Sequence, residues 1–152
     1  YMEMEMVQIK GVDSTQRMTK ADLAAGAKLI IRERLLTHGD QHAESGFVVN
    51  LNGEDSSANV ISRSVAKNNS TQVFNAEING NAKCAGHSEC DAIIMDHAKI
   101  SAIPKIVAND IDAALIHEAA IGKIAGEQLI KLMTLGLTEQ EAEAQIVNGF
   151  LK

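Results

Sequence analysis

Short apolar runs alternate with turn clusters over the first hundred or so residues of this chain. The runs cover residues 28–36, 47–51, 60–66, 73–78, 92–95 and 100–107. Between them lie Gly39-Asp40, Asn52-Gly53-Glu54-Asp55, Asn68-Asn69-Ser70, Asn79-Gly80-Asn81 and Asp96-His97. Gly and Asn accept positive φ at little cost, so such clusters punctuate strands. One strand plus one turn occupies roughly 12–16 residues, the spacing of an all-β chain. Within runs the alternation has period two: Phe47, Val49 and Leu51 share one face, as do Phe74, Ala76 and Ile78. Asn50, Asn52, Asn75 and Glu77 take the other, so one face is buried and one is wet. Tyr1 lies within the first such strand, where Met and Glu alternate to Met6, and the chain is expected to be part of a longer β protein.

The pattern changes after Gly122. Leu129, Leu132 and Met133 stand at i, i+3 and i+4, one face of a helix. Gly136 is placed to end it. Thr138 followed by Glu141 forms a capping box, and Ala142, Ile146 and Phe150 then recur every four residues. Two helices are expected, at 124–135 and 139–147, which divides the chain into a β unit, 1–122, and a C-terminal helical unit, 123–152. The stretch 111–120 is ambiguous, because its alanine content and helix formers favour a helix.

A sandwich and a solenoid both fit the β pattern. Asn- and Gly-rich turns, few aromatics and a weak recurrence at twice the strand spacing favour stacked coils. Only 3% of residues are aromatic and there is no Trp, so the core must be built from Val, Ile, Leu, Ala and Met. Fourteen basic residues against 20 acidic ones give a charge of −6, which argues against a nucleic acid as partner. The densest basic group, Lys28, Arg32 and Arg34, is interrupted by Glu33 and reads as a solvated strand face. No apolar run approaches the ~18 residues of a membrane span. Two cysteines and no secretory pattern point to a reducing, cytoplasmic setting.

The C-terminal third carries the narrowest signal. Asp96-His97-Ala98-Lys99-Ile100, Pro104 and Ala108-Asn109-Asp110 lead into Ile116-His117-Glu118-Ala119-Ala120-Ile121-Gly122-Lys123-Ile124. Glu127-Gln128-Leu129, Gly136-Leu137, Glu141-Ala142 and Ile146-Val147-Asn148-Gly149-Phe150 follow in order. This ordered set resembles the C-terminal end of the SufB/SufD family, scaffold proteins of iron–sulfur cluster assembly. The resemblance implies a mostly β fold, a right-handed parallel β-helix with a small C-terminal α-helical cap, and favours a final strand over 111–120. Ile111, Ala113, Leu115 and His117 would then share one face, with His117 and Glu118 on opposite faces. It implies a scaffold rather than an enzyme, a SufC-like ABC ATPase docked on the terminal helices, and a homodimer or heterodimer with a SufB/SufD-like subunit. A transient iron–sulfur cluster would be the cargo.

By the same resemblance, His117 falls where the family places a histidine near a cluster-related site, and Glu118 matches the glutamate after it. Neutral imidazole and carboxylate both hold iron. Two seats where the family carries cysteine hold Ala98 and Leu115 instead, so this chain alone is expected to hold a cluster poorly. Cys84 and Cys90 match no metal spacing and read as buried small hydrophobes. His87 sits near them in sequence, whereas His38, His42 and His97 belong to turns. Ile130, Leu135, Leu137 and Val147 lie outside the two helical stripes and form the expected ATPase surface.

Two rivals stand beside this reading: a structural β-solenoid interaction module without cluster chemistry, and a β-helix enzyme. A lyase would cluster Asp, Arg and Lys on one strand face. An acyltransferase, for which His87 could serve, would leave the helical cap unexplained. No nucleophile elbow or phosphate-binding glycine loop is present.

Overall fold

The structure, a computed structural model, describes residues 1–11 and 13–152. Among these, nine strands precede two helices: β1 Met2–Gln8, β2 Ser14–Leu23, β3 Lys28–Thr37, β4 His42–Leu51, β5 Ser56–Ala66, β6 Thr71–Gly80, β7 Cys84–Ile94, β8 Lys99–Ala108, β9 Ala113–Gly122, α1 Gly126–Met133 and α2 Glu139–Phe150. Successive strands go to alternate sheets. One sheet has the order β1-β3-β5-β7-β9 and the other β2-β4-β6-β8. Every pairing is parallel. The chain is a flattened β-solenoid of two strands per coil. Lys28 pairs with Ser57, and Ser56 in turn with Cys84. Each partner lies two strands and two turns further on, which is the weak recurrence at twice the strand spacing. The ambiguous stretch at 111–120 is a strand, but it starts at Ala113; Ile111 is 99% exposed in the preceding turn and does not share the inner face.

Because coils stack in register, each inner position becomes a row. Leu29, Ala58, Gly86 and Leu115 form one, and Ile31, Val60, Ser88 and His117 the next. Phe47, Val49, Leu51, Phe74, Ala76 and Ile78 fill the interior from the other sheet. Shape is matched along rows. A Cβ on Gly86 would come within 2.8 Å of both Ile78 and Leu115, so glycine there makes room for leucine on β9.

Side-chain ladders tie the corners. Asn109 donates to Asn81 and Asn81 to Asn52, each at 2.7 Å. At the opposite corner Gly39, Asn68 and Asp96 all adopt positive φ. The Gly39 N–H donates to Asn68 Oδ1, and the Asn68 N–H donates to Asp96 Oδ2, both at 2.9 Å. Asn and Asp tolerate this conformation and supply an acceptor to the coil before, which explains the turn composition.

Two strands do not show the expected apolar faces. The inner residues of β2 are Thr15, Arg17, Thr19, Ala21 and Leu23, and its one large apolar residue before Leu23, Met18, faces out. Arg17 reaches inside to Glu33, only 3% exposed, which also accepts hydrogen bonds from Ser45 and Ser62. The inner face of β7 carries Cys84, Gly86, Ser88, Cys90 and Ala92. Both thiols are free and buried, and burial pushes Cys90 up to about 11, helped by the Glu33 and Asp91 carboxylates. The basic group is solvated: Arg32 and Arg34 pair with Glu3 and Glu5 on the outer face.

The helices differ from expectation in where they pack. The capping box of Thr138 and Glu141 is present. α2 does not cover the solenoid end. It lies on the outer face of the first sheet, where Leu36, Val65 and Ile93 form an apolar row in register. Val147 and Leu151 bury against that row, leaving Val147 4% exposed. Val147 is therefore core, not partner surface. A helix wedged between a sheet and another helix needs two apolar faces, and the stripe of Ala142, Ile146 and Phe150 accounts for only one.

Two outcomes follow for stability. A Cβ on Gly53 would overlap the backbone of Ala24 and Ala25, whereas one on Gly149, in α2, meets nothing within 4 Å. Thermal melts of Gly53→Ala should show a loss of roughly 1–3 kcal/mol. Gly149→Ala should be neutral or gain roughly 0.5 kcal/mol. Equal melts for both would contradict the corner packing. For the thiols, native protein at pH 8 should take up almost no iodoacetamide by mass spectrometry. Urea-unfolded protein should take up two equivalents.

Candidate functional site

The last two strands of the first sheet bring the chemically capable side chains together. β9 alternates as expected: His117 faces into the solenoid and Glu118 faces out. They do not meet at one ion. Each has its own surroundings.

Inside, His117 stands in the row of Ile31, Val60 and Ser88. Its Nδ1 is buried without a hydrogen-bond partner, as is the neighbouring Ser88 Oγ. Burial holds this imidazole below its usual pKa, the nearby His87 adds to that, and Glu118 opposes it. A neutral imidazole with an unpartnered ring nitrogen is a competent ligand or proton acceptor. The final coil is open beyond it. Ile106 and Ile121 face inward yet remain 39% exposed, because no further coil covers them. Leu115 lies two residues before His117 on the same inner face and packs into the core. Ala98 is also buried.

Outside, Glu118 joins His87 and Glu89. Glu89 and Glu118 are direct partners in the β7–β9 register. His87 precedes Glu89 by two residues, so it shares that face. His87 Nε2 is 3.3 Å from Glu118 Oε2, and His87 Nδ1 is 3.0 Å from Asn59 Oδ1. One ligand atom from each of His87, Glu89 and Glu118 lies within 4.8 Å of the others. A hydrogen bond with Asp91 and partial burial raise the Glu89 carboxyl above its ordinary pKa. Cys84 and Cys90 face the other way and take no part.

Sequence reasoning placed His87 beside the cysteines and missed its partner on the following coil. The coil repeat was the signal, since one full coil beyond Glu89 falls on Glu118. The remaining histidines are at corners. His38 and His97 are exposed, and His42 bonds Thr71 through Nδ1 at 2.7 Å.

On the expected helical surface, Ile130 and Leu135 are 63% and 78% exposed. Leu137 is half-buried. No helix among the described residues is long and apolar enough to cross a membrane.

Comparison with known proteins places the chain in a family. The family model for "SUF system FeS cluster assembly, SufBD core domain" matches residues 2–150. An iron–sulfur cluster assembly SufBD family protein of Methanothermobacter thermautotrophicus is 35% identical over 127 residues, 82% of this chain and 31% of that protein. A SufBD family protein of Methanocaldococcus jannaschii is 41% identical over 105 residues, 68% of this chain and 33% of the relative. One from Archaeoglobus fulgidus is 40% identical over 111 residues, 72% and 30% respectively. The chain thus spans about a third of the length of these relatives. A match over nearly every residue of a two-sheet solenoid with a terminal helix pair means that this chain belongs to the SufBD family of iron–sulfur cluster assembly proteins.

Proposed function

We propose that this chain is the cluster-proximal end of a Suf-type scaffold, which takes part in iron–sulfur cluster assembly in the cytoplasm without being a catalyst itself. The observation that carries this reading is the open last coil. It presents a neutral, unpartnered His117 inside and Glu118 outside, on a strand with a free edge. Iron and sulfide are cargo here, and thiolates are their preferred ligands. Both cysteines of this chain are buried. Assembly therefore draws ligands from a second subunit or from a part of the protein outside these residues.

The free edges supply the place for that subunit. β8 and β9 are each the last strand of their sheet, and unpaired edges pair readily. Ile103 and Ile116 are 55% and 56% exposed on these strands. A homodimer, or a heterodimer with a SufB/SufD-like chain, would cover them along with the inward-facing Ile106 and Ile121. The ATPase surface in this reading is the exposed side of α1 and the turn after it, centred on Ile130 and Leu135, with Leu137 at its margin. A SufC-like ABC ATPase would lay a groove over these residues and transmit its cycle to the last coil through α2, which is packed on the sheet.

Two measurements test this. Ile130→Asp and Leu135→Asp should each lower capture of a co-expressed SufC-like ATPase at least tenfold and leave the melting temperature unchanged. Unchanged capture would leave these helices a purely structural cap and favour the interaction-module alternative. Anaerobic reconstitution of this chain alone with iron and sulfide should give no stable visible cluster. With its partner subunit present, cluster formation should fall when His117→Ala is introduced. A stable brown holoprotein that tolerates His117→Ala would overturn the assignment of His117.

A further inference from the structure

Ion pairs are spread over the coils. Glu3 and Glu5 are paired with Arg32 and Arg34, Glu33 with Arg17, Asp55 with Lys83, and Glu77 with Lys105. Among the described residues, Glu89 and Glu118 have no lysine or arginine ion pair. Glu118 is instead paired with His87. Asp91 adds a further carboxylate beside Glu89, and Arg63, close enough to be felt by Glu89, is the nearby cation. Two carboxylates are therefore left facing each other across β7 and β9 with little compensation.

The third group is an oriented imidazole. Asn59 Oδ1 accepts from His87 Nδ1–H, and Nε2 is directed at Glu118, to which it donates when protonated; an arriving cation would take the place of that Nε2 proton. The amide oxygen therefore does for His87 what outer-shell acceptors do for metal-bound histidines: it fixes tautomer and ring direction. The 3.3 Å between Nε2 and Glu118 Oε2 is close to the ~3.0 Å expected between adjacent ligands of an octahedral ion with bonds of about 2.1 Å. The Glu89 oxygen lies within 4.8 Å of both. All three ligands stand on neighbouring hydrogen-bonded strands, which hold their Cα atoms rigidly.

We infer that His87, Glu89 and Glu118 form a mononuclear divalent-cation site on the outer face of β7 and β9, with Asn59 as its positioning residue. One imidazole and two carboxylates suit Fe²⁺, Mn²⁺, Co²⁺ or Zn²⁺ and do not favour the soft thiolate-seeking ions. The site needs no cysteine and no second subunit, and it lies across the β9 backbone from His117. It rests on the scaffold reading only for the ion that fills it in use, Fe²⁺, held next to the place of assembly before sulfide arrives. Its existence stands on the geometry alone.

Isothermal titration of the whole chain with CoCl₂, and anaerobically with ferrous sulfate, should give one strong site. Mn²⁺ should broaden the His87 ring signals in proton NMR before those of His38, His42 and His97. His87→Asn and Glu89→Gln should each weaken binding at least tenfold, Asn59→Ala about tenfold, and His117→Ala less than twofold. Melting temperatures of the His87, Glu89 and Asn59 variants should change little, since these side chains are on the outer face of the sheet. Undiminished affinity in His87→Asn and Glu89→Gln, or no binding at millimolar Co²⁺, would overturn the site. Loss confined to His117→Ala would move the ion inside the solenoid and also overturn it. A chain that fails these titrations yet captures the ATPase removes the site and leaves the scaffold reading standing.

Discussion

Everything in this molecule depends on in-register parallel stacking of one coil on the next. Backbone ladders set the vertical spacing, and identical register across both sheets turns every strand position into a row. A side chain is therefore judged by what stands one coil above and below it. Gly86 is glycine because Leu115 and Ile78 occupy its space. Asn52, Asn81 and Asn109 are asparagines because each amide completes the next. Glu33 is tolerated inside because Ser62 stands directly across from it in the next coil, and Arg17 and Ser45 reach it from the other sheet.

Stacking also explains what sequence reasoning could reach. Strands with apolar inner faces, such as β4 and β6, were legible from period-two alternation. β2 was not, because Arg17 points in and Met18 points out, which inverts the usual pattern. The first half of β7 was not, because Cys84, Gly86 and Ser88 are small and carry little hydrophobic signal. The capping box of Thr138 was legible because it is local. The burial of Val147 was not. It depends on Leu36, Val65 and Ile93 lining up on an outer face that alternation alone assigns to solvent.

The site divides in the same way. That His117 and Glu118 point to opposite faces follows from strand geometry alone. That Glu118 meets His87 depends on the length of the coil between β7 and β9, which sets Glu118 opposite Glu89. A coil one residue longer or shorter there would place Glu118 on the other side of the sheet. Local motifs reveal one ligand at a time, whereas a solenoid assembles its sites between coils.

The corner ladder of Gly39, Asn68 and Asp96 has a consequence for how such a chain changes over generations. Each link of the ladder joins a residue only to the adjacent coil, so information about register passes between nearest neighbours and no further. Growth or shrinkage of the molecule is consequently quantised. A change of one whole coil leaves the register of the remaining coils intact, while a change of a few residues inside a strand breaks two interfaces at once. The last two coils, with His87 on one and His117 and Glu118 on the next, are thereby insulated from the number of coils beneath them. Chains of very different length can carry the same working end.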